Sequence, residues 1–370
     1  MIRKHLRVAV SGIHLGENCQ PGPGVARSLR EALGSSVSIL GLAYDVFDSS
    51  LYAGDLLDDA FMVPYPSAGP SVYLERLLQI HAVTPIDVLV PCLDVELPII
   101  QRIAPALAKA GIRTCLPSQE AFARRTKDQL PILAAELGIR TPETRTVTDH
   151  AALAAAGREL GYPLVVKGPF YEAEVAQGAA EAAAAFDKLA LKWGMPLLAQ
   201  QFVKGEEYDV IALGDGEGGV HGAVAMRKTM VTRLGKAWGA VTIHDDELVG
   251  VATRVVAALR WRGGCEVEML RGAADGKPYL IEVNPRFPAW VYLATAAGVN
   301  LPLGLVQLAR GEQLPKFDAY RAGVFYVRHA AEGVGDVRDL EALMASGRTR
   351  RISIDSTTIT HPLDGRNHHG

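Results

Sequence analysis

Apolar and polar positions along the chain fall into two rhythms. Leu6-Arg7-Val8-Ala9-Val10 is a short, nearly continuous apolar run that opens into Ser11-Gly12, the pattern of a buried strand entering a loop. Similar runs occur at 37–42, 86–91 and 112–116. Between them lie stretches of helical spacing at 25–33, 71–81 and 98–110. Strands alternating with helices predict a parallel sheet covered on both faces. Residues 1–117 therefore read as one α/β domain. Helices are predicted at 119–125, 129–137 and 149–160, a strand at 163–169 ending on Lys167, a helix at 174–193 and a strand at 197–203. Beyond Gly205 the rhythm shortens. Strands at 208–213, 220–227 and 240–244 with Gly-rich turns predict an antiparallel sheet, followed by a helix at 246–260. Two strands at 265–270 and 278–284 flank the turn Ala273-Ala274-Asp275-Gly276, and a helix follows at 303–311.

The densest chemistry lies on those last two strands. Side chains alternate along a strand, so Glu282 and Asn284 share one face, as do Glu266 and Glu268. Paired as a hairpin, the strands would bring carboxylates and an amide together in an oxygen-only set suited to Mg²⁺ with phosphate ligands. Arg286 follows at the same end and could clamp a phosphate. An acidic exposed hairpin is the plainer alternative, weakened by the apolar neighbours. Lys167 leaves a buried strand beside Gly168 and could reach an anion; a Lys snorkelling to solvent explains it equally well. Gln200-Gln201-Phe202-Val203-Lys204-Gly205-Glu206-Glu207 could form a hinge for a purine edge and a ribose, or a solvated acidic pair. The loop from Gly12 to Gly24 does not fit GxGxxG, which disfavours a dinucleotide site. It lies where α/β folds bind ligands, and an anion there is plausible. Asp94 and Glu96 hold the equivalent strand end and could bind an amine or simply open an exposed helix.

The 370 residues imply two to three domains at roughly 150 each. Near-balance of 38 Lys+Arg against 41 Asp+Glu argues against a nucleic-acid binder. No run approaches the roughly 18–20 apolar residues of a membrane span, and the charged start lacks a signal-peptide pattern. Cys19, Cys92, Cys115 and Cys265 are scattered without a CxxC pair, which reads as reduced, mostly buried thiols in a cytoplasmic protein.

The order Lys127, Lys167, the 200–207 hinge and then Glu268, Glu282, Asn284 and Arg286 resembles the ATP-grasp superfamily, over about residues 1–312. The Gly263–Gly298 stretch is most similar to its carbamoyl-phosphate-synthase-like branch. The resemblance implies a mixed α/β and α+β chain. Residues 1–117 would be a parallel α/β pre-ATP-grasp domain. Residues 118–196 would form the smaller lobe of the ATP-grasp fold with linker helices, 197–312 the larger lobe with the metal site, and 313–370 a C-terminal extension. It further implies that Lys127 and Lys167 bind ATP phosphates, that Gln200, Gln201, Phe202 and Val203 line the adenine, and that Glu207 binds the ribose. Glu268, Glu282 and Asn284 would hold two Mg²⁺ ions, with Mn²⁺ as a substitute, and Arg286 would face the transferred phosphoryl group.

The implied activity is a carboxylate–amine ligase that activates a carboxylate as an acyl phosphate, with amino acids or peptides as the expected small-molecule substrates. Arg233 and Lys236, in a basic stretch, are placed near that carboxylate. Alternatives are a bicarbonate-activating carboxylase type and a nucleotide-binding regulator that has lost catalysis. A homodimer is the default assembly. One departure stands out: after Lys167 the segment Pro169-Phe170-Tyr171-Glu172 lacks the family's Gly-rich lid.

Overall fold

The computed structural model describes residues 5–16, 18–169, 172–232, 235–314, 316–317, 319–329 and 332–350. The first domain carries β1 (Leu6–Val10), β2 (Val37–Ala43), β3 (Asp59–Met62) and β4 (Val88–Val90), all parallel. The next strands are β5 (Thr144–Val147), β6 (Leu164–Lys167), β7 (Ala173–Ala176) and β8 (Leu197–Gln201). They are followed by β9 (Gly205–Asp215), β10 (Val220–Val231), β11 (Ala237–Ile243), β12 (Arg262–Gly272) and β13 (Pro278–Asn284). Two short strands close the described chain, β14 (Phe325–Val327) and β15 (Arg348–Arg350). Three sheets result, in the orders β15-β3-β2-β1-β4, β5-β8-β6-β7 and β13-β12-β9-β10-β11-β14. The second and third are antiparallel throughout.

Period-2 alternation on β1 explains how the first sheet is covered. Ala9 packs on one face with Tyr73, Leu77 and Ile80 of the helix Pro70–Val83 and Ile100 and Leu107 of the helix Leu97–Lys109. Val8 and Val10 face the other way, onto Val25, Ala26 and Leu29 of the helix Gly22–Leu33. That second core does not stop at the domain edge. It continues through Trp290, Val291 and Leu301 to Ile211, Leu213, Val224 and Met226 of the six-stranded sheet. One apolar core thus fixes the first domain against the large sheet, and the cleft between them inherits that rigidity.

Several sequence expectations change here. Ile112–Leu116 does not add a strand; Arg113 makes a single parallel bridge to Val88. The predicted helix at 174–193 begins only at Ala179, because Ala173–Ala176 pairs antiparallel with β6. Leu197–Gln201, assigned from sequence to the larger lobe, lies in the four-stranded sheet between β5 and β6, so the large sheet starts at Gly205. The 313–370 stretch is not one appendage: β14 edges the large sheet and β15 pairs antiparallel with β3. All four cysteines are buried free thiols. No described helix is long and apolar enough to cross a membrane.

Candidate active site

The hairpin of β12 and β13 sets the centre of the site. Its register places Glu266 opposite Asn284 and Glu268 opposite Glu282. The Asn284 amide Nδ2 donates to Glu266 Oε2 at 2.8 Å and to Glu268 Oε1 at 2.7 Å. Beyond β13 the chain turns sharply, and the Phe287 ring fills the space over Gly264 that a Cβ would occupy. This close approach anchors the turn that carries Arg286. The Arg286 guanidinium reaches Asp94 Oδ1 of the first domain at 2.8 Å and Glu266 Oε2 at 3.8 Å. Trp290 donates its indole N–H to Glu266 Oε1 at 2.6 Å. Burial in this packed corner, with the charge of Glu268 nearby, pushes the Glu266 carboxyl up to about 7.

The two lysines singled out by sequence converge on the same hairpin. Lys127, in the loop between two short helices, lies 3.6 Å from Glu282 Oε1. Lys167 ends β6, and burial lowers its pKa to about 8 even though Glu282, Glu268 and Glu207 oppose the drop. A buried ammonium whose charge is made costly by desolvation is poised to gain from an incoming anion. Behind Lys167 a cavity of about 140 Å³ is lined by Pro142, Val165, Gln200, Gln201, Phe202, Val203, Leu270 and Ile281. Of the hinge named from sequence, Gln200 to Val203 share this slot with Lys167, whereas Lys204, Gly205 and Glu206 line a separate cavity with Arg271 and Gly272. Gln200 is buried and donates to Thr144 Oγ1 at 2.9 Å. Gln201 accepts from the Glu143 backbone at 3.3 Å.

Other expectations separate. Glu96 is not at an exposed helix start. It is fully buried, accepting from Ser11 Oγ at 2.5 Å, from Tyr44 and from two backbone N–H groups, so it braces the first domain. Asp94 alone of that pair faces the cleft. Lys236 points back to the first-domain loop and bonds Asn18; burial and then Arg286 lower its pKa. Arg233 lies outside the described residues, as does Tyr171. After Lys167, the Gly168 N–H donates to Glu172 O at 3.1 Å before β7 begins.

Three residues were not read as site residues from sequence. Lys228 belongs to the basic stretch that carries Arg233 and Lys236, and its ammonium lies under the acidic face, 2.8 Å from Glu207 and 3.4 Å from Asp209 and Glu268. Asp209 was hidden within an apolar strand. Arg328, after β14, places Nη1 2.9 Å from Cys19 Sγ. β9 is buried continuously from Tyr208 to Gly214, so no alternation along the strand could have flagged Asp209.

As a donor set, two carboxylates and one amide on a single sheet face fit a hard cation that keeps other oxygen ligands. Among the described residues no group of three or more acidic, His or Cys side chains forms a preformed cage. A cation here would therefore need oxygens from a bound phosphate.

Residues 194–330 match the family described as "ATP-grasp in the biosynthetic pathway with Ter operon". A D-alanine–D-alanine ligase from Paracidovorax citrulli is 28% identical over 168 residues, 40% of this chain; the match spans about half, 49%, of that ligase. An L-amino acid ligase from Bacillus licheniformis superposes with a TM-score of 0.61 at 22% identity, covering 83% of this chain and 74% of that one. The biotin carboxylase domain of Hydrogenobacter thermophilus 2-oxoglutarate carboxylase, solved with MgADP and bicarbonate, gives 0.66 at 16% identity, covering 86% and 73%. The fold is the ATP-grasp fold, and residues 194–330 carry the match to an ATP-grasp family.

Proposed function

We propose that this protein is an ATP-dependent carboxylate–amine ligase. One observation carries the reading: Lys127 and Lys167 approach Glu282, which lies directly across the hairpin from Glu268, with Asn284 and Arg286 following along the chain. Cations for phosphates, hard oxygen donors and a further guanidinium thus lie along a single face. In this reading the slot lined by Gln200, Gln201, Phe202 and Val203 takes adenine, and Glu207 takes the ribose. Glu268, Glu282 and Asn284 would hold Mg²⁺, which supplies charge neutralisation at the β- and γ-phosphate oxygens when bound.

A carboxylate resists amines because oxide is a poor leaving group. Transfer of the γ-phosphoryl group to it gives an acyl phosphate and ADP, and amine attack then expels phosphate. Lys127, Lys167 and Arg286 offset the negative charge of that transfer. Arg286 is oriented by Asp94, so the first domain helps aim the guanidinium into the cleft. Lys236, tied to the loop after β1, would meet the substrate carboxylate. The acyl phosphate must be kept from water.

The test is phosphate release over a panel of amino acids and small carboxylic acids, with and without amines. Release that needs both a carboxylate and an amine supports the ligase. Release that depends on bicarbonate would replace this reading with carboxylation. MgATP binding without turnover on any combination would indicate a regulator.

A further inference from the structure

Lys228 is a buried charged group of the large sheet that the reaction described above does not use. It extends from β10, and only 6% of its side chain is exposed. Its Nζ reaches across β9, meeting Glu207 Oε2 at 2.8 Å, Asp209 Oδ1 at 3.4 Å and Glu268 Oε2 at 3.4 Å. The register explains the cluster: Asp209 lies opposite Glu268 on β12, and Arg227 opposite Tyr208 on β10. Burial opposes the charge of Lys228, but the three carboxylates hold it well above the ordinary lysine range. Asp209 is itself buried, and its Oδ1 makes no hydrogen bond, so the ion pair with Lys228 is the contact that compensates it.

The arrangement divides Glu268 between two partners. Asn284 Nδ2 holds Oε1 at 2.7 Å, and Lys228 holds Oε2. The same ammonium holds Oε2 of Glu207. One fixed cation therefore touches both the acid assigned to the ribose and an acid assigned to the metal. A ligand that draws Glu268 away from Lys228 leaves the ammonium to Glu207 and Asp209, and a hydroxyl that engages Glu207 does the reverse.

We propose that Lys228 is a positioning residue that couples ribose recognition at Glu207 to metal recognition at Glu268. The proposal rests on the site reading above. It makes the affinity for a nucleotide and its metal depend jointly on both ends of the cluster, through a group that touches neither.

Equilibrium binding of MgADP at several Mg²⁺ concentrations tests this. Glu207→Gln, Glu268→Gln and their combination are measured in the natural chain, then again in a background carrying Lys228→Met with Asp209→Asn. That background removes both buried charges together, so neither is left uncompensated, and its melting profile checks folding. In the natural chain the combined loss should differ from the product of the single losses by about threefold or more, as contacting groups do. In the Lys228→Met/Asp209→Asn background the losses should multiply independently, with a higher Mg²⁺ half-saturation. Lys228→Arg, which keeps the cation, should retain the coupling and provides a second route if the paired variant is unfolded. Independent losses in the natural chain, or coupling that survives loss of the cation, overturn the proposal while leaving the site reading intact. Single variants that bind MgADP like the natural chain overturn the site assignments themselves.

Discussion

Replacing Lys167 with Met should stabilise the nucleotide-free protein while removing its affinity for nucleotide. The sign follows from the lysine's environment. Its pKa falls from 10.5 to about 8 in the folded chain, with burial as the leading cause. Below pH 8 the side chain is protonated in both folded and unfolded chains, and the folded state carries the whole cost of the buried charge. As pH rises from 8 towards 10.5 the folded chain releases the proton first, and the cost disappears. The depression corresponds to a ceiling of about 3 kcal/mol, at 1.36 kcal/mol for each factor of ten in the proton equilibrium. Solvent reaches part of the side chain, and Glu282 loses a nearby cation in the variant, so a net gain of about 1–2 kcal/mol at pH 7 is expected. Urea unfolding at pH 7 and pH 10, with and without MgADP, measures it. Lys167→Met should exceed the natural chain at pH 7 and match it near pH 10. MgADP at 100 times its Kd should add about 2.7 kcal/mol to the natural chain only. A variant less stable than the natural chain at pH 7, or a difference that ignores pH, refutes the reasoning.

Trp290→Phe keeps the ring but removes the donor to Glu266. It should cost about 1.5–3 kcal/mol for a hydrogen bond to a charged group, read as a lower urea midpoint with unchanged slope; an unchanged midpoint would show that the contact does not stabilise. Glu282→Gln should abolish phosphate release and weaken MgADP binding at least tenfold, measured by calorimetry, with normal turnover excluding the metal assignment. Binding of MgADP by the natural chain should weaken as pH climbs above about 8, because Lys167 must then take up a proton to meet the phosphates; Lys167→Arg should flatten that profile if it binds. Gly347→Val forces a side chain onto a residue at φ 63°, with its Cβ 2.8 Å from Arg76, and should cost about 1–3 kcal/mol. Faster amide exchange across Asp59–Met62 would be its local signature.

The parts of this fold that sequence made legible are those where one rhythm dominates. The β12–β13 hairpin could be read as two strands whose acidic residues share faces, because Glu266, Glu268, Glu282 and Asn284 sit at strand spacing among apolar neighbours; the register came only with the structure. The short strand Ala173–Ala176 could not, because alanine and glutamate favour helices and only the pairing with β6 overrides them. Leu197–Gln201 was rightly read as a strand but given to the wrong sheet, since an apolar run does not name its partner. Lys228 was hidden by its neighbour: Arg227 is exposed, and a basic pair looks solvated until β9 supplies Glu207 and Asp209 beneath one of them. Glu96 was misjudged for the opposite reason. Its donors, Ser11 and Tyr44, come from 85 and 52 positions away, and no local pattern carries them.

The return of the chain to β3 through β15 has a consequence for how the protein is made. Arg348 and Asp59 meet across 289 positions, so the outer edge of the first sheet stays open until almost all of the described chain has been synthesised. During that interval β3 presents unpaired backbone groups that any extended segment could join. Contacts this distant in sequence also form slowly, because their loop closure is costly before it is rewarded. The first domain is therefore made well before the strand that seals it, and until then its β3 edge is open to pairing with other extended segments.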